Sequence, residues 1–205
     1  MSRLDALQVR PGVPDLAQWI RPGDSVVCGQ VAAEPLTLTR ALVEQRERLG
    51  GVDVFVGTLF SGTFSPAKAE GLRFYSYGAM GRAASLASAG LLRIVPTHYS
   101  ELEPAFASGM RPADVVLIQL APSRSGRGLS FGLANDYVVA AARRARVVVA
   151  EINPEAPWTR GAEVPADFRI DLAVQAACAP LEIRSDAAAG ELETRIARHL
   201  AEIIP

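Results

Sequence analysis

The chain has 205 residues, which suits one ordinary domain or two small ones, and its 49% hydrophobic content can form a sizeable core. A formal net charge of −1 gives no electrostatic basis for binding nucleic acid. No apolar run approaches the roughly 20 residues of a membrane-spanning helix, and the N-terminal stretch MSRLDALQVRPGVPD lacks the apolar core of a signal peptide. We therefore expect a cytoplasmic protein with neither nucleic acid nor membrane as a partner.

Short β-branched runs alternate with helical patterns along the chain. Strands are predicted over residues 25–30, 52–60, 93–99, 114–121, 146–153 and 172–177, and helices over 35–51, 133–145 and 188–204. Apolar strands separated by helices are typical of a parallel sheet that is buried on both faces. The pattern therefore predicts an α/β fold with an open, doubly wound, mainly parallel sheet. No linker divides the chain, so we expect one domain over residues 1–205.

Ligands of doubly wound sheets bind beyond the carboxyl ends of the strands. The segments that follow the predicted strands are rich in Gly, Ser, Thr, Pro and Asn. These segments are residues 29–34, 58–65, 96–100, 121–132 and 151–161. We expect the functional residues of the protein among them.

The stretch DVVLIQLAPSRSGRGLSFG (residues 114–132) leads from an apolar strand into a Gly-rich loop and has the outline of an anion-binding turn. Its glycines give GxGxxxG rather than the dinucleotide pattern GxGxxG, and a long loop separates them from the strand. The sequence therefore disfavours a dinucleotide site. Arg124 and Arg127 could attract an anion to the following helix, but solvated loop residues are the alternative for each.

Cysteine and histidine give no metal-binding pattern. Cys28 and Cys178 stand alone in apolar or small-residue contexts, so we expect two buried free thiols. His98 and His199 are far apart, and His199 falls on a helical pattern that favours a solvated position. We therefore expect no metal site.

Five segments in order resemble the N-terminal half of the acetyl-CoA hydrolase/transferase family, which includes class I CoA-transferases for acetate, succinate and hydroxybutyrate. They are RPGDSVVCGQVAAEPLTLTRAL, IVPTHYSELEPAFASG, ADVVLIQLAPSRSGRGLSFG, VVVAEINPEAPWTRG and IDLAVQAACAPLEI. The resemblance extends from about Ile20 to Pro205, and the ordered set carries it rather than any single motif. It implies a CoA-transferase-like domain of the NagB/RpiA-like kind.

The resemblance also implies chemistry. In the family, a glutamate of the second half attacks an acyl-CoA thioester, and CoA passes through a glutamyl-CoA thioester to a carboxylate acceptor. Attack by water gives hydrolysis instead. We therefore expect no catalytic residue in this chain, no covalently bound cofactor, and CoA as a substrate. By the same resemblance Glu34, Glu151 and Glu155 do not replace that glutamate, and we expect Glu151 to be structural.

The N-terminal half in such enzymes helps to form the acyl and carboxylate pocket. The positions that could do so here carry hydroxyl or amide groups or lie in the Gly-rich loop. They are Ser61, Thr63, Ser65, Gly128, Ser130 and Asn153. The alternative for each side chain is local turn bonding, which Ser, Thr and Asn make routinely.

Three hypotheses remain open at this point. The chain is half of a CoA-transferase or acyl-CoA hydrolase that works with a second half or subunit, a non-catalytic acyl-CoA-binding or interaction domain, or a fragment of a longer chain.

An exposed apolar face would mark a missing partner. The closing helix carries Leu192, Ile196, Leu200 and Ile203 at helical spacing, and we expect this stripe to pack on the domain's own sheet. A second candidate surface is aromatic and comprises Phe60, Phe64, Phe74, Tyr75 and Tyr77.

Overall fold

A computed structural model describes residues 7–123, 128–176, 178–182 and 189–204. Its strands are β1 (Val9–Arg10), β2 (Ser25–Cys28), β3 (Val52–Phe55), β4 (Leu72–Ser76), β5 (Leu92–Ile94), β6 (Val115–Pro122), β7 (Leu129–Ser130), β8 (Val147–Ile152) and β9 (Leu172–Gln175). Its α-helices are α1 (Leu36–Glu44), α2 (Ala83–Ser88), α3 (Leu102–Ser108), α4 (Tyr137–Arg144) and α5 (Glu191–Ile203). Short 3₁₀ helices lie at Leu16–Gln18, Val31–Ala33, Arg46–Leu49, Pro66–Lys68 and Tyr99–Glu101.

The strands form one sheet in the order β1-β9-β8-β6-β2-β3-β4-β5, and β7 pairs with β6 off this path. Every pair along this order is parallel, and the β6–β7 pair is antiparallel. The predicted α/β fold with a doubly wound, mainly parallel sheet is therefore confirmed. The chain winds outward from β2 through β5 and then returns to the other side of β2 as β6. This reversal creates a crevice at the carboxyl ends of β2 and β6, where ligands bind in such sheets.

Two hydrophobic cores cover the two faces of the sheet. Successive side chains of a strand point to opposite faces, and β2 shows this directly, because Val26 belongs to one core and Val27 to the other. Helices α1 and α2 complete the first core, and α3 and α4 complete the second. In the described part of the chain, no helix is both long and apolar enough to cross a membrane.

Several boundaries differ from the sequence prediction for local reasons. The first predicted helix ends as α1 at Glu44, a 3₁₀ turn follows, and Gly50 stops that turn with a left-handed φ of 71°. The sequence pattern does not predict strand β4, because only its alternate residues are fully buried. It also misses helices α2 and α3, since six and seven residues are too few to show a clear helical period.

The apolar stripe of α5 does not pack on the sheet, so that expectation is wrong. Leu192 is 64% exposed and Ile196 is 51% exposed, and no residue of α5 is buried. The physical reason is that α1 to α4 already cover the two faces of the sheet, and neither core includes a residue of α5.

The aromatic residues do not form one exposed surface either. Phe64 and Phe74 are buried in the first core, with ring centroids 5.3 Å apart, while Tyr75 and Tyr77 pack against the second core. The alternation along β4 sends neighbouring aromatic side chains to opposite faces.

The isolated cysteine and histidine residues are only partly as predicted. Cys28 is a buried free thiol as expected, but Cys178 is free and only half-buried, because it lies beyond the end of β9 and near the exposed Arg40. The prediction for His199 is confirmed, since its side chain is 72% exposed on α5.

Candidate functional site

A pocket of about 780 Å³ opens beyond the carboxyl ends of β2, β3 and β4. We call it the Asp136 pocket. The residues that shape it come from five separate segments, and most carry polar or aromatic side chains. They are Gln30, Thr58, Tyr77, Met80, Tyr99 and Asp136. Three of the five segments predicted to hold functional residues contribute to this pocket.

Gln30 is the centre of the hydrogen-bond network in this pocket. Its side-chain oxygen accepts from the Thr58 backbone N–H at 3.0 Å and from the Tyr77 hydroxyl at 2.8 Å. Its side-chain nitrogen donates to the Tyr99 hydroxyl at 2.9 Å and to Asp136 Oδ2 at 2.7 Å. Gln30 is only 4% exposed, and these four bonds satisfy its amide without help from solvent. One side chain thereby joins the loops that follow β2, β3, β4 and β5 to the start of α4.

Glycine at position 57 makes this arrangement possible. A Cβ atom there would collide with Oε1 of Gln30 and would lie 2.7 Å from the Tyr137 hydroxyl. Tyr137 packs between the network and the second core, because its ring stacks on Phe106 and its centroid lies 6.2 Å from the ring centroid of Tyr77. Burial raises the pKa of Tyr137 well above its ordinary value.

Backbone strain lies at the same place. Val31 directly follows Gln30 and has a φ of 51°, a left-handed conformation that a β-branched residue adopts only when the surrounding structure enforces it. The Val31 N–H donates to the Thr58 carbonyl oxygen at 3.0 Å, which anchors the strained turn on the next loop. The tight turn directs the Gln30 side chain into the network.

Asp136 supplies the negative charge of the pocket. Its Oδ1 accepts from the Val138 N–H at 3.0 Å and caps α4, while Oδ2 accepts from Gln30 and from the Tyr99 hydroxyl. Burial, followed by the charge of Asp136, raises the pKa of Tyr99 above its ordinary value. The tyrosine therefore stays protonated and acts as a donor to the carboxylate.

Two fully buried carboxyl groups flank the start of α1. Glu151, at the end of β8, accepts from the Thr37 N–H at 2.6 Å. Glu34 immediately precedes the helix and accepts from the Ser61 hydroxyl at 2.6 Å and from the Thr39 hydroxyl at 3.3 Å. Burial raises the pKa of both carboxyl groups, and these hydrogen bonds partly oppose the rise. Both side chains hold the start of α1 and its neighbouring loops in place, and neither is exposed to a substrate.

A second pocket, of about 460 Å³, is lined by Ser61. We call it the Arg40 pocket. Three basic side chains line it, those of Arg40, Lys68 and Arg82, together with Ser61 and Thr63. Glu44 is the one carboxylate among its lining residues. The pocket therefore has a positive local charge in a chain whose net charge is −1.

Among the predicted site residues, Ser61 and Thr63 face the Arg40 pocket. The Ser61 hydroxyl donates to Glu34 and accepts from the Thr63 N–H at 3.1 Å, which orients the loop. Ser65 lies just beyond, is half-buried, and precedes a 3₁₀ turn without capping it through its side chain.

The other three predicted residues lie away from both pockets. Ser130 is fully buried, and its hydroxyl donates to the carbonyl oxygens of Thr159 and Ala162. The Asn153 amide donates to the Cys178 carbonyl oxygen and accepts from the Glu155 N–H. The Asn153–Glu155 bond is a local turn bond. The Ser130 bonds and the Asn153–Cys178 bond instead join loops that are 25 to 32 positions apart in the chain.

The third of these residues, Gly128, is exposed near the Trp158 ring. Arg124 and Arg127 lie outside the described residues.

The match to a protein-family model decides the family. The model of the acetyl-CoA hydrolase/transferase N-terminal domain matches residues 13–174. The chain belongs to this family. The 4-hydroxybutyrate coenzyme A transferase of Clostridium kluyveri is 29% identical over 182 residues, which cover 87% of this chain and 42% of that protein.

Two solved structures share the fold of this chain. The 4-hydroxybutyrate CoA-transferase of Porphyromonas gingivalis has a TM-score of 0.68 at 26% identity, covering 95% of this chain and 46% of that one. RipA from Yersinia pestis has a TM-score of 0.81 at 22% identity, covering 96% and 48% respectively. The chain thus spans about half the length of the relatives that it matches.

Sequence reasoning misses most of the Asp136 pocket of this acetyl-CoA hydrolase/transferase domain. Gln30 has the pattern of a strand end, and Asp136 falls inside a predicted helix. One local signal is available, because an Asp directly before an amphipathic pattern is a preferred N-cap. The link between Gln30 and Asp136 spans 106 positions, and no local pattern reveals such a contact.

Proposed function

We propose that the chain is the N-terminal domain or subunit of a CoA-transferase or acetyl-CoA hydrolase. It would help to move CoA between a short acyl-CoA and a carboxylate acceptor of the acetate, succinate or hydroxybutyrate class. The family match over residues 13–174 carries this proposal. The 29% identity to a 4-hydroxybutyrate coenzyme A transferase supports it. CoA is a substrate in this proposal, and the site of action is the cytoplasm.

The chemistry requires a glutamate from a second half or subunit. Its carboxylate attacks the thioester carbonyl, which gives an acyl-glutamyl anhydride and releases the CoA thiolate. The thiolate then attacks the glutamyl carbonyl, releases the acyl group as a carboxylate and leaves a glutamyl-CoA thioester. An incoming carboxylate reverses these two steps, and water gives hydrolysis instead. Glu34 and Glu151 are fully buried and engaged at the start of α1, which supports a nucleophile from elsewhere.

The described domain would form one wall of the substrate site. The Asp136 pocket is large enough for a short acyl group, and its aromatic and Met80 side chains offer apolar contacts. Ser61 and Thr63 are the predicted substrate-binding residues best placed to meet a ligand, because both line a pocket. Ser65, Gly128, Ser130 and Asn153 would then act by shaping the loops around the site.

An isotope-exchange assay tests the proposal. The purified chain is mixed with acetyl-CoA and labelled acetate, alone and with a chain that carries the second half of the family, and transfer of label into the thioester is followed. Succinyl-CoA and release of free CoA serve as parallel substrate and hydrolysis controls. We expect exchange only when both halves are present. Turnover by this chain alone would contradict the proposal that the catalytic glutamate comes from a second half. Binding of acyl-CoA without any turnover would favour a non-catalytic binding domain.

A further inference from the structure

The Arg40 pocket has charges that the proposed chemistry does not use. Arg40, Lys68 and Arg82 are exposed and line a single concave site. None of the three forms a salt bridge with a carboxylate in the described part of the chain. The Arg40 guanidinium makes a weak bond to the Cys178 sulfur at 3.8 Å. Three cations therefore line one site without a strong internal partner among the described residues.

The neutral groups of the pocket suit an anion as well. Ser61 and Thr63 line the pocket with uncharged polar side chains, although the Ser61 hydroxyl already donates to Glu34. Gly62 leaves open space, because an added Cβ atom there would meet no atom within 4 Å. The positive charge of Arg40 also affects the buried Glu34, because it opposes the rise in the pKa of that carboxyl group. Glu44 is the one carboxylate among the described lining residues that would repel an anion.

We propose that the Arg40 pocket binds a group that carries two negative charges, through Arg40, Lys68 and Arg82. Such a group is the phosphate monoester of CoA or, taken as a whole, a dicarboxylate substrate such as succinate. Among the described lining residues, three basic side chains against one carboxylate leave a surplus that matches a dianion. The Asp136 pocket does not suit this group, because its own carboxylate would repel it. The choice of these two sources rests on the proposed function, but binding of a dianion does not.

Equilibrium binding of inorganic phosphate to the purified chain, at fixed ionic strength, is the primary test. We expect saturable binding that weakens about tenfold in Arg40→Gln and in Arg82→Gln, because each loses one charge-assisted contact. The matched control is Arg198→Gln, which removes the same charge from the exposed helix α5 and should leave the affinity unchanged. Glu44→Gln should tighten binding roughly twofold by removing the repelling carboxylate.

Competition experiments identify the source of the anion. If CoA displaces phosphate and pantetheine does not, the pocket binds a phosphate of CoA. If succinate displaces phosphate while acetate and CoA do not, the pocket binds a dicarboxylate as a whole. Absence of saturable binding, or equal weakening in Arg40→Gln and Arg198→Gln, would overturn the proposal. These measurements involve no turnover, so their failure leaves the exchange assay as a separate test of the proposed function.

Discussion

The Asp136 pocket and the Arg40 pocket lie near the same edge of the sheet, but they use their polar groups differently. In the Asp136 pocket the polar groups bond to one another, and Gln30 alone makes four such bonds. In the Arg40 pocket the three basic side chains have no salt-bridge partner among the described residues. The first arrangement fixes shape, while the second keeps charge available for a ligand. Changes in the first pocket should therefore affect stability, and changes in the second should affect binding.

The largest expected effect comes from Gln30→Ala. The substitution leaves the Thr58 N–H and the Tyr77 hydroxyl without their acceptor, and it removes a donor from Asp136. Leaving buried polar groups unsatisfied costs about 1–3 kcal/mol each when water cannot replace the partner. Because the pocket admits some water, we expect the free energy of unfolding to fall by about 3 kcal/mol in urea denaturation.

Gln18→Ala is the matched control for this loss. Gln18 is exposed, and within the described part of the chain its side chain makes only a long bond of 3.4 Å to Asp15. Its replacement should change the unfolding free energy by less than about 0.5 kcal/mol. If Gln30→Ala were equally mild, the network would not fix the shape of the Asp136 pocket.

The second effect concerns pH and the buried carboxyl of Glu34. Burial raises the pKa of Glu34 above its ordinary value of 4.5, so the folded state binds the proton more tightly than the unfolded chain. Its contribution to stability is therefore fully present below about pH 4.5 and is lost as the pH rises through the folded-state pKa. A tenfold difference in proton affinity between the folded and unfolded states corresponds to about 1.4 kcal/mol.

Glu34→Gln tests this dependence, because an amide cannot ionise. We expect the unfolding free energy of the variant to fall less steeply than that of the wild type as the pH rises from 4.5. Burial also raises the pKa of Glu151, so the variant should retain part of the slope. Glu103→Gln, at an exposed position, should leave the profile unchanged. Identical slopes for wild type and Glu34→Gln would contradict a raised pKa for Glu34 in the folded state.

The sheet could be predicted from the sequence where strands are buried on both faces. Strands β6 and β8 show as continuous apolar runs because nearly every residue is buried. Strand β4 lacks this signal, since Arg73 is exposed and Tyr75 half-buried within it. The amphipathic pattern of α5 is visible in the sequence but its packing is not, because a pattern shows which face is apolar and not what covers it.

The site was predictable only where local chemistry marked it. Ser61 and Thr63 were chosen because the resemblance implies a carboxylate pocket in this half and their hydroxyl groups suit one. Both line the Arg40 pocket, and their binding of substrate stays a prediction. Gln30 and Asp136 meet only through the crossover that brings α4 beside β2, so their contact depends on the complete topology. Ser130 looked equally promising in the sequence, yet its hydroxyl bonds to the backbone of a nearby turn.

Tyr99→Phe should lower the free energy of unfolding less than Gln30→Ala does. The hydroxyl of Tyr99 accepts from Gln30 and donates to Asp136, but the residue is 48% exposed. Water can therefore replace part of what is lost, and we expect a decrease of about 1 kcal/mol in the unfolding free energy. Tyr75→Phe is the control, because no hydrogen bond of its hydroxyl is seen within the described ranges. A loss as large as that of Gln30→Ala would mean that Tyr99, rather than Gln30, is the centre of the network.

The smallest effect on stability should come from Arg40→Gln. Arg40 is exposed and has no salt bridge among the described residues, and such a cation contributes little to folding. Thermal and urea denaturation should therefore differ from wild type by less than about 0.5 kcal/mol. The same variant is expected to lose phosphate affinity, which separates a role in binding from a role in folding. A loss of more than about 1 kcal/mol would mean that Arg40 holds the loop around Ser61 in place. The two pockets would then differ less than their hydrogen bonds indicate, since both would use their polar side chains to stabilise the fold.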